Sequence, residues 1–147
     1  MKTAFDNSIG YLINDVARHM RWNFDRQSQG LELTRAQWSV LAHLKRQDGV
    51  QQKTLARLMD IKPITLARHI DRLEQKGWVE RRDDPEDRRA KRLFLTAKAS
   101  PQLDKLQKLG LKVRKQAMAG ISAADEARVL EVLIRMRDNL SDSGGSE

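Results

Sequence analysis

Apolar residues recur with a helical period in both end regions of the chain. Near the N-terminus, seven positions repeat at intervals of three and four residues, namely Ile9, Leu12, Ile13, Val16, Ala17, Met20 and Phe24. This spacing places them on one face of a helix, which we expect to end near Gln29-Gly30. A second stripe predicts a long helix in the last third, and it comprises Leu103, Leu106, Leu109, Val113, Ala117 and Ile121. Pro101 is compatible with that helix only as a kink or a delayed start. A final helix opens at Ser122, and the tail 141–147 is predicted to be disordered.

Three shorter helices are predicted between these ends. Thr34-x-x-Gln37 has the spacing of a capping box and starts a helix that buries Trp38, Leu41 and Leu44. A short helix over 54–59 follows the polar break at 47–49. Pro63 suits the first position of the next helix, and Gly77 suits its left-handed C-terminal cap. That helix buries the set Leu66, Ile70 and Leu73 and exposes the set Thr65, Arg68, His69 and Arg72.

After Gly77 the period changes from helical to alternating. Val79 to Arg82 and Lys91 to Leu95 are short alternating segments, and the charged residues 83–87 join them. This pattern predicts a β-hairpin with a long tip. Thr96 then stands where it can cap the following helix.

Two short helices, a tight turn and a basic hairpin, in this order, describe a helix-turn-helix followed by a wing. An α-helix fits the major groove of DNA, where arginine can pair with a guanine edge, and a hairpin beside it can place arginine in the minor groove. Arg68 is the candidate base reader. The hairpin carries four cations in five residues, at Arg88, Arg89, Lys91 and Arg92.

The charge of the chain supports a polyanionic partner. The 28 basic and 20 acidic residues leave a net charge of +8 in 147 residues, and residues 50–96 hold half of this excess. Such a surface attracts nucleic acid. Each cationic stretch could instead be a solvated face. A non-specific nucleoid-associated or RNA-binding protein would use the same surface, although stacking aromatics, common in RNA readers, are limited in the wing to Phe94.

Other classes of function lack their signatures. The chain has no cysteine, and its three histidines have no metal-ligand spacing, so we predict no metal and no cofactor. No nucleophile elbow, P-loop or GxGxxG sequence is present, and an enzyme is not expected. No apolar run is long enough to span a bilayer and no signal peptide is evident, so we expect a cytoplasmic location and no membrane partner.

Three segments of the sequence resemble the MarR family, and most closely its SlyA branch. They are Leu31 to Thr34 followed by Trp38, the stretch LARLMDIKPITLARHIDRLEQKGWVER at Leu55 to Arg81, and DRRAKRLFLT at Asp87 to Thr96. The likeness runs from about Gly10 to about Leu140. It implies a homodimeric winged-helix transcription regulator, repressor or activator, which binds a pseudo-palindromic operator in double-stranded DNA and is often released by small aromatic acids.

The resemblance also assigns roles to residues. The major-groove arginine falls on Arg68, its neighbouring hydroxyl contact on Thr65, the minor-groove arginine on Arg88 and the wing-supporting aspartate on Asp87. We add further residues to the predicted DNA-binding set, which are Lys62, His69, Arg72, Arg89 and Lys91. In one departure, Ile64 stands where the SlyA branch has proline, which leaves the entry of the helix and the preferred half-site open.

The expected fold is mainly α with a small β-hairpin wing, a winged helix-turn-helix with long N- and C-terminal dimerisation helices. We predict a dimerisation helix over 1–30, a DNA-binding region over 31–96 with recognition helix 63–76 and wing 79–95, and dimerisation helices over 97–140, all in one intertwined domain. The stripe Leu103 to Ile121 is interpreted as half of a dimer interface, the alternative being a monomer with long helical arms.

A pocket for an aromatic carboxylate is a further hypothesis. Trp38 could stack on such a ligand, and Arg18 or Arg21 could bind its carboxylate. In the alternative interpretation Trp38 belongs to the core and the two arginines form salt bridges of the dimer.

Overall fold

The computed structural model describes residues 6–142, which form six α-helices, one 3-10 turn and one hairpin. The elements are α1 Ile9–Gln27, α2 Arg35–Arg46, α3 Gln52–Leu58, α4 Pro63–Gln75, β1 Val79–Asp83, β2 Lys91–Leu95, a 3-10 turn Ala97–Ala99, α5 Ser100–Ala117 and α6 Ala123–Asp142. The chain divides into two compact units, Met1–Leu111 and Lys112–Glu147. The predicted fold class, mainly helical with a hairpin wing, is confirmed.

Local sequence signals set most helix ends. The Thr34 hydroxyl accepts from the Gln37 backbone N–H while the Gln37 side chain accepts from the Thr34 N–H, which completes the capping box of α2. Pro63 is the first residue of α4, and Gly77 follows that helix with a φ of +78°. Ser122 caps α6 by accepting from the Asp125 N–H.

The structure corrects several predicted boundaries. Helix α1 ends at Gln27, before Gln29-Gly30, because the Ser28 N–H closes its last turn on the Phe24 carbonyl. Helix α5 ends at Ala117, so Ile121 lies beyond it, past Gly120 with a φ of +78°. Helix α6 extends through Ser141 and Asp142, the first two residues of the predicted tail, and residues 143–147 lie outside the described part of the chain.

Thr96 does not cap the helix that follows it. Its hydroxyl donates to the Gly77 carbonyl instead, and its backbone N–H donates to the Trp78 carbonyl over 3.1 Å. Helix α5 therefore starts late, at Ser100, after one 3-10 turn, with Pro101 in its first turn. Through these two bonds Thr96 connects the start of the 3-10 turn to Gly77 and Trp78, just after the end of α4.

One apolar core holds the middle of the chain together. It is built from α2, α3, α4 and the hairpin, and its fully buried side chains include Trp38, Leu41, Leu44, Leu55, Leu66, Ile70, Leu73 and Leu93. Burying each large apolar side chain contributes about 1.5 to 3 kcal/mol. The predicted buried faces of α2 and α4 are confirmed, and these contacts determine which face of α4 remains exposed.

The apolar stripe of α5 is partly covered within one chain. Leu109 is buried in this core, and Leu103 and Leu106 pack against it. The sequence analysis assigned the whole stripe from Leu103 to Ile121 to a dimer interface. That interpretation is wrong for these three residues, because they pack against the core of their own chain. The four-segment division of the chain proposed from the sequence stays a prediction.

The hairpin is antiparallel and is attached along β2 to the α2–α3 connection. Val79 pairs with Leu95 and Asp83 with Lys91. On the other edge of β2, the Gly49 N–H donates to the Leu93 carbonyl at 2.8 Å and the Leu93 N–H donates to the Val50 carbonyl at 2.9 Å. These bonds fix the base of the hairpin beside α3, and the tip, residues 85–89, lies beyond the buried pair Asp84 and Ala90.

Candidate nucleic-acid interface

Helix α4 exposes the polar side chains that the sequence selected. Thr65, Arg68 and Arg72 are exposed at spacings of three and four residues, so they share one face. Neither arginine forms an ion pair with any described residue. Ile64, at the position of the departure noted above, is the second residue of α4 and is 62% exposed. The face thus offers two uncompensated guanidinium groups, a hydroxyl and an apolar side chain.

His69 differs from its neighbours because it is half-buried. Its Nδ1 is shielded from solvent and has no hydrogen-bond partner among residues 6–142. Burial lowers the pKa of His69, and the nearby charge of Arg72 lowers it further. At neutral pH this side chain is uncharged, so it cannot serve as a cationic phosphate contact there.

The wing tip holds two arginines that are free to bind. Arg88 and Arg89 are exposed, and neither forms an ion pair within the described part of the chain. The Asp87 carboxylate accepts from the Arg89 backbone N–H at 2.9 Å, and the Asp87 carbonyl accepts from the Ala90 N–H at 3.1 Å. These bonds close a tight turn that presents both arginines.

The other two cations of the hairpin are occupied. Lys91 forms an ion pair with Asp83 across the hairpin. Arg92 donates to the Asp84 carboxylate at 3.0 Å and to the Gly49 carbonyl at 2.9 Å, so its guanidinium belongs to the base of the wing. Of the four hairpin cations, Arg92 is therefore held by a buried carboxylate.

That carboxylate, Asp84, was missed by the sequence reasoning. The residue is only 4% exposed, and its oxygens accept from the Glu86 backbone N–H, the Gln51 side chain and Arg92. The bond from Glu86 is the largest cause of a lowered Asp84 pKa, followed by the bond from Gln51. Asp-Pro at 84–85 is typical of a turn. The contact between Asp84 and Gln51 could not be predicted, because the two residues are 33 positions apart and no local sequence pattern links them.

Arg81 was missed as well, although it joins three elements. It lies in β1 and contacts α4 through Asp71, Glu74 and the Ala67 carbonyl, and α3 through Gln52. Its side chain is only 20% exposed. An arginine in an alternating charged strand usually lies on a solvated face. The sequence therefore did not indicate that Arg81 joins the wing to α3 and α4.

A cleft of about 390 Å³ separates the start of α4 from the wing. Its lining residues are Gln52, Lys53, Pro63, Asp87, Arg89, Ala90 and Lys91. Lys62, the residue before α4, is exposed, and its side chain does not cap the helix. The backbone N–H groups in the first turn of a helix favour anions, so this cleft combines helix-end and side-chain positive charge.

The predicted aromatic-acid pocket consists of Trp38, Arg18 and Arg21, and of these Trp38 lies in the core. Trp38 is only 1% exposed and packs edge-on against Phe24, with ring centroids 6.3 Å apart. Neither face of Trp38 is open for a ligand to stack on. Arg18 pairs with Asp15 and lies over the Trp22 ring at 4.9 Å, while Arg21 is exposed on α1.

The described residues contain neither a metal-ligand cluster nor a membrane-spanning helix. No group of three or more potential ligands could hold a metal ion there. Within the same range, no helix is long and apolar enough to cross a membrane.

Comparison with known proteins identifies the fold and the family. Residues 33–91, from the start of the core to the first residue of β2, match the MarR family. The transcriptional regulator PA3341 is 36% identical, with a TM-score of 0.79 over 92% of this chain and 99% of that one. This chain belongs to the MarR family.

Other solved structures agree with this assignment. A MarR transcriptional regulator from Methanosarcina mazei Go1 is 25% identical, with a TM-score of 0.80 over 91% of this chain and 96% of that one. The transcriptional regulator SlyA is 27% identical, with a TM-score of 0.75 over 93% and 96%. The protein is thus a winged-helix transcriptional regulator of the MarR family. Within this fold, α3 and α4 form the helix-turn-helix and β1–β2 the wing.

Proposed function

We propose that this MarR-family regulator is a cytoplasmic homodimer that represses or activates transcription by binding a pseudo-palindromic operator. The observation that carries the proposal is the distribution of free cations. Arg68 and Arg72 on α4 and Arg88 and Arg89 on the wing tip have no acidic partner in the described chain, whereas neighbouring Arg81, Arg82, Lys91 and Arg92 all do. Four free guanidinium groups thus lie on the two elements that can enter grooves.

Helix α4 is the element proposed for the major groove. Arg68 can pair bidentately with the O6 and N7 of guanine, and Thr65 can bond to a neighbouring base or phosphate. The exposed Ile64 can contact a thymine methyl group. Arg72 and Lys62 flank these positions, and their contacts with phosphates would set the register of the helix. His69, uncharged at neutral pH, could contribute only a neutral hydrogen bond.

The wing is the element proposed for the minor groove. Arg88 is the candidate for insertion, because arginine is attracted to the negative potential of a narrow minor groove. Arg89 and Lys91 line the cleft between wing and α4, where a backbone phosphate would lie. The turn closed by Asp87 holds Arg88 and Arg89 at the tip.

Dimerisation is proposed through the terminal helices. On α1 the exposed apolar residues include Ile9, Leu12, Ile13, Val16 and Met20, and on α6 they include Val129, Leu130, Leu133, Ile134 and Leu140. Monomeric soluble proteins rarely expose apolar patches of this extent, so a second copy is the proposed partner. Two-fold symmetry then requires half-sites about one helical turn, 10 to 10.5 base pairs, apart.

The central experiment selects an operator and then tests Arg68. Duplexes enriched from a random library by the wild-type protein would supply the cognate site. Arg68→Ala should lose about 1 to 3 kcal/mol of binding free energy on that site and little on scrambled DNA, because a base contact is lost. Lys105→Ala, which removes an exposed cation of α5, is the charge control.

Two outcomes would contradict this assignment. An equal loss on both duplexes would make Arg68 a phosphate contact only. A wild-type protein with no preference between selected and scrambled duplexes, or with a preference for RNA, would be a non-specific nucleoid-associated or RNA-binding protein.

We further propose a small aromatic carboxylate as the effector, in a different place from the one first considered. A groove of about 420 Å³ between α2 and α5 is lined by Lys45 and Arg46 together with Leu103 and Leu106. This combination can bind a carboxylate and an apolar ring at once. Benzoate should raise the melting temperature by mass action, and Arg46→Ala should abolish the rise. An unchanged melting temperature at millimolar benzoate would count against this class of effector.

The SlyA branch remains the proposed placement within the family. Its support is the wing sequence at Asp87 to Thr96 and the stretch Leu55 to Arg81. Cross-binding tests the placement. SlyA should bind the operator selected by this chain, and failure of SlyA to bind it would remove the chain from that branch.

A further inference from the structure

Arg81 is directed towards α4 and α3. Its backbone N–H donates to Glu74 at 3.1 Å, and its guanidinium contacts Glu74 at 3.1 Å and Asp71 at 2.7 Å. The same group donates to the Ala67 carbonyl at 3.1 Å and to the Gln52 side chain at 3.0 Å. One side chain of the wing thus bonds to two turns of the recognition helix and to the first residue of α3.

These bonds add to the backbone bonds and core packing that set the angle between the wing and α4. Gly77 joins α4 to the hairpin, and a glycine connection permits many directions of the outgoing strand. The hydrogen bonds among Asp84, Arg92, Gln51 and Gly49 join the wing to the α2–α3 connection, and none of these bonds is to α4. Arg81 adds hydrogen bonds and ion pairs between the wing and the middle of α4 to the apolar contacts of Val79 and Leu93 in the core.

Arginine is suited to this role and lysine is not. A guanidinium is planar and carries five N–H donors in a fixed fork, so it can bond to Gln52, Ala67, Asp71 and Glu74 at once. An ammonium on a flexible stem would keep the charge but could not hold all four partners in one geometry.

We infer that Arg81 is a positioning residue that sets the orientation of the wing relative to the recognition helix, and thereby determines operator specificity without touching DNA. The inference rests on the proposed function. Specific binding requires the major-groove helix and the minor-groove arginine to fit one duplex together. A wing that pivots about Gly77 reaches its groove only part of the time, which lowers affinity for the operator.

The test compares Arg81→Lys and Arg81→Gln with Arg82→Lys and Arg82→Gln. Arg82 is the matched control, because it is the next residue of the same strand but contacts Glu80 and the Phe94 ring. Dissociation constants are measured on the selected operator and on a scrambled duplex. Protection of guanine N7 from methylation reports α4, and protection of the minor groove from hydroxyl radicals reports the wing.

Both Arg81 variants are expected to bind the operator at least tenfold more weakly, about 1.4 kcal/mol, and to bind scrambled DNA within about twofold of wild type. Guanine N7 protection should persist at saturating protein while minor-groove protection is lost. The Arg82 variants should keep both protections. Should Arg81→Gln fail to fold, Gln52→Ala removes one of the four partners and is expected to weaken minor-groove protection selectively.

Each alternative role of Arg81 gives a different result that overturns the inference. Recovery of operator affinity in Arg81→Lys would mean that only its charge matters. A salt slope lowered by about one in Arg81→Gln would reveal a direct phosphate contact. Parallel loss of both protections together with a large fall in melting temperature would indicate a purely structural residue. Failure of the proposed function itself would be seen separately, in a wild type that does not distinguish the two duplexes.

Discussion

At the scale of single residues, the basic side chains of this protein differ in whether they form an ion pair with a carboxylate. Arg92 and Arg88 lie four positions apart on one hairpin, yet Arg92 is bound by Asp84 whereas Arg88 has no acidic partner in residues 6–142. Residue type and spacing alone do not distinguish these two arginines, and only the family resemblance singled out Arg88. The difference arises from burial, because Asp84 is withdrawn from solvent and needs donors.

Asp84 makes stability depend on pH. Its pKa is lowered in the folded state, so the unfolded chain binds the proton more tightly. The stabilisation is fully present above the ordinary aspartate pKa and is lost as the pH falls through the lowered value. We expect Asp84→Asn to lower the melting temperature at pH 7 and to flatten its dependence on pH in this acidic window. Thermal melts between pH 2 and 7 measure both effects.

The neighbouring Asp83 is the control for this prediction. Its side chain is 77% exposed and pairs with Lys91 at the surface, where ion pairs contribute little. Asp83→Asn should change the melting temperature only slightly. An equal effect of the two substitutions would show that the buried network adds nothing beyond surface charge.

Arg88 gives a prediction at the same scale. Because its guanidinium is free and exposed at the wing tip, its removal should release fewer counterions on binding. Arg88→Ala should weaken operator binding and reduce the slope of log affinity against log salt by about one. Titrations at several salt concentrations measure this slope. An unchanged slope would mean that Arg88 does not contact DNA and that the wing tip is only a solvated loop.

At the scale of elements, helices and strands follow from local sequence, whereas their connections do not. The capping box at Thr34, Pro63 and Gly77, and the change of period after Gly77 correctly locate α2, α4 and the hairpin. Thr96 was wrongly predicted to cap the next helix. A threonine hydroxyl can either cap a helix or donate to a distant carbonyl, and the local sequence does not distinguish the two. Arg81 was missed because its partners are 7 to 29 residues away and only tertiary packing brings them close.

Two glycines, one after the end of α4 and one within α5, should respond oppositely to alanine. Gly77 has a φ of +78°, which alanine adopts only with strain, so Gly77→Ala should destabilise the protein by about 1 kcal/mol or more. Gly110 lies within α5, and an added Cβ meets no described atom within 4 Å, so Gly110→Ala should stabilise it by about 0.5 to 1 kcal/mol. Denaturant unfolding measures both, and effects of the same sign would contradict this interpretation.

At the scale of the whole molecule, the exposed apolar residues of α6 predict association. Leu133→Glu places a charge on that face and should shift the dimer towards monomer, because burying an unpaired charge is costly. Arg135→Glu, about 200° around the same helix, is the matched control and should leave the dimer intact. Analytical ultracentrifugation separates the two states, and a wild type that sediments as a single chain would contradict the proposed dimer.

The closure of the wing tip also bears on how relatives of this protein could diversify. The Asp84 N–H donates to the Ala90 carbonyl at 3.2 Å, and the base below that pair is secured to the α2–α3 connection. Insertions or deletions between Pro85 and Arg89 would therefore leave the strand register unchanged. Evolution, or an engineer, could lengthen or shorten this arginine-bearing tip to suit a new target site without redesigning the scaffold beneath it.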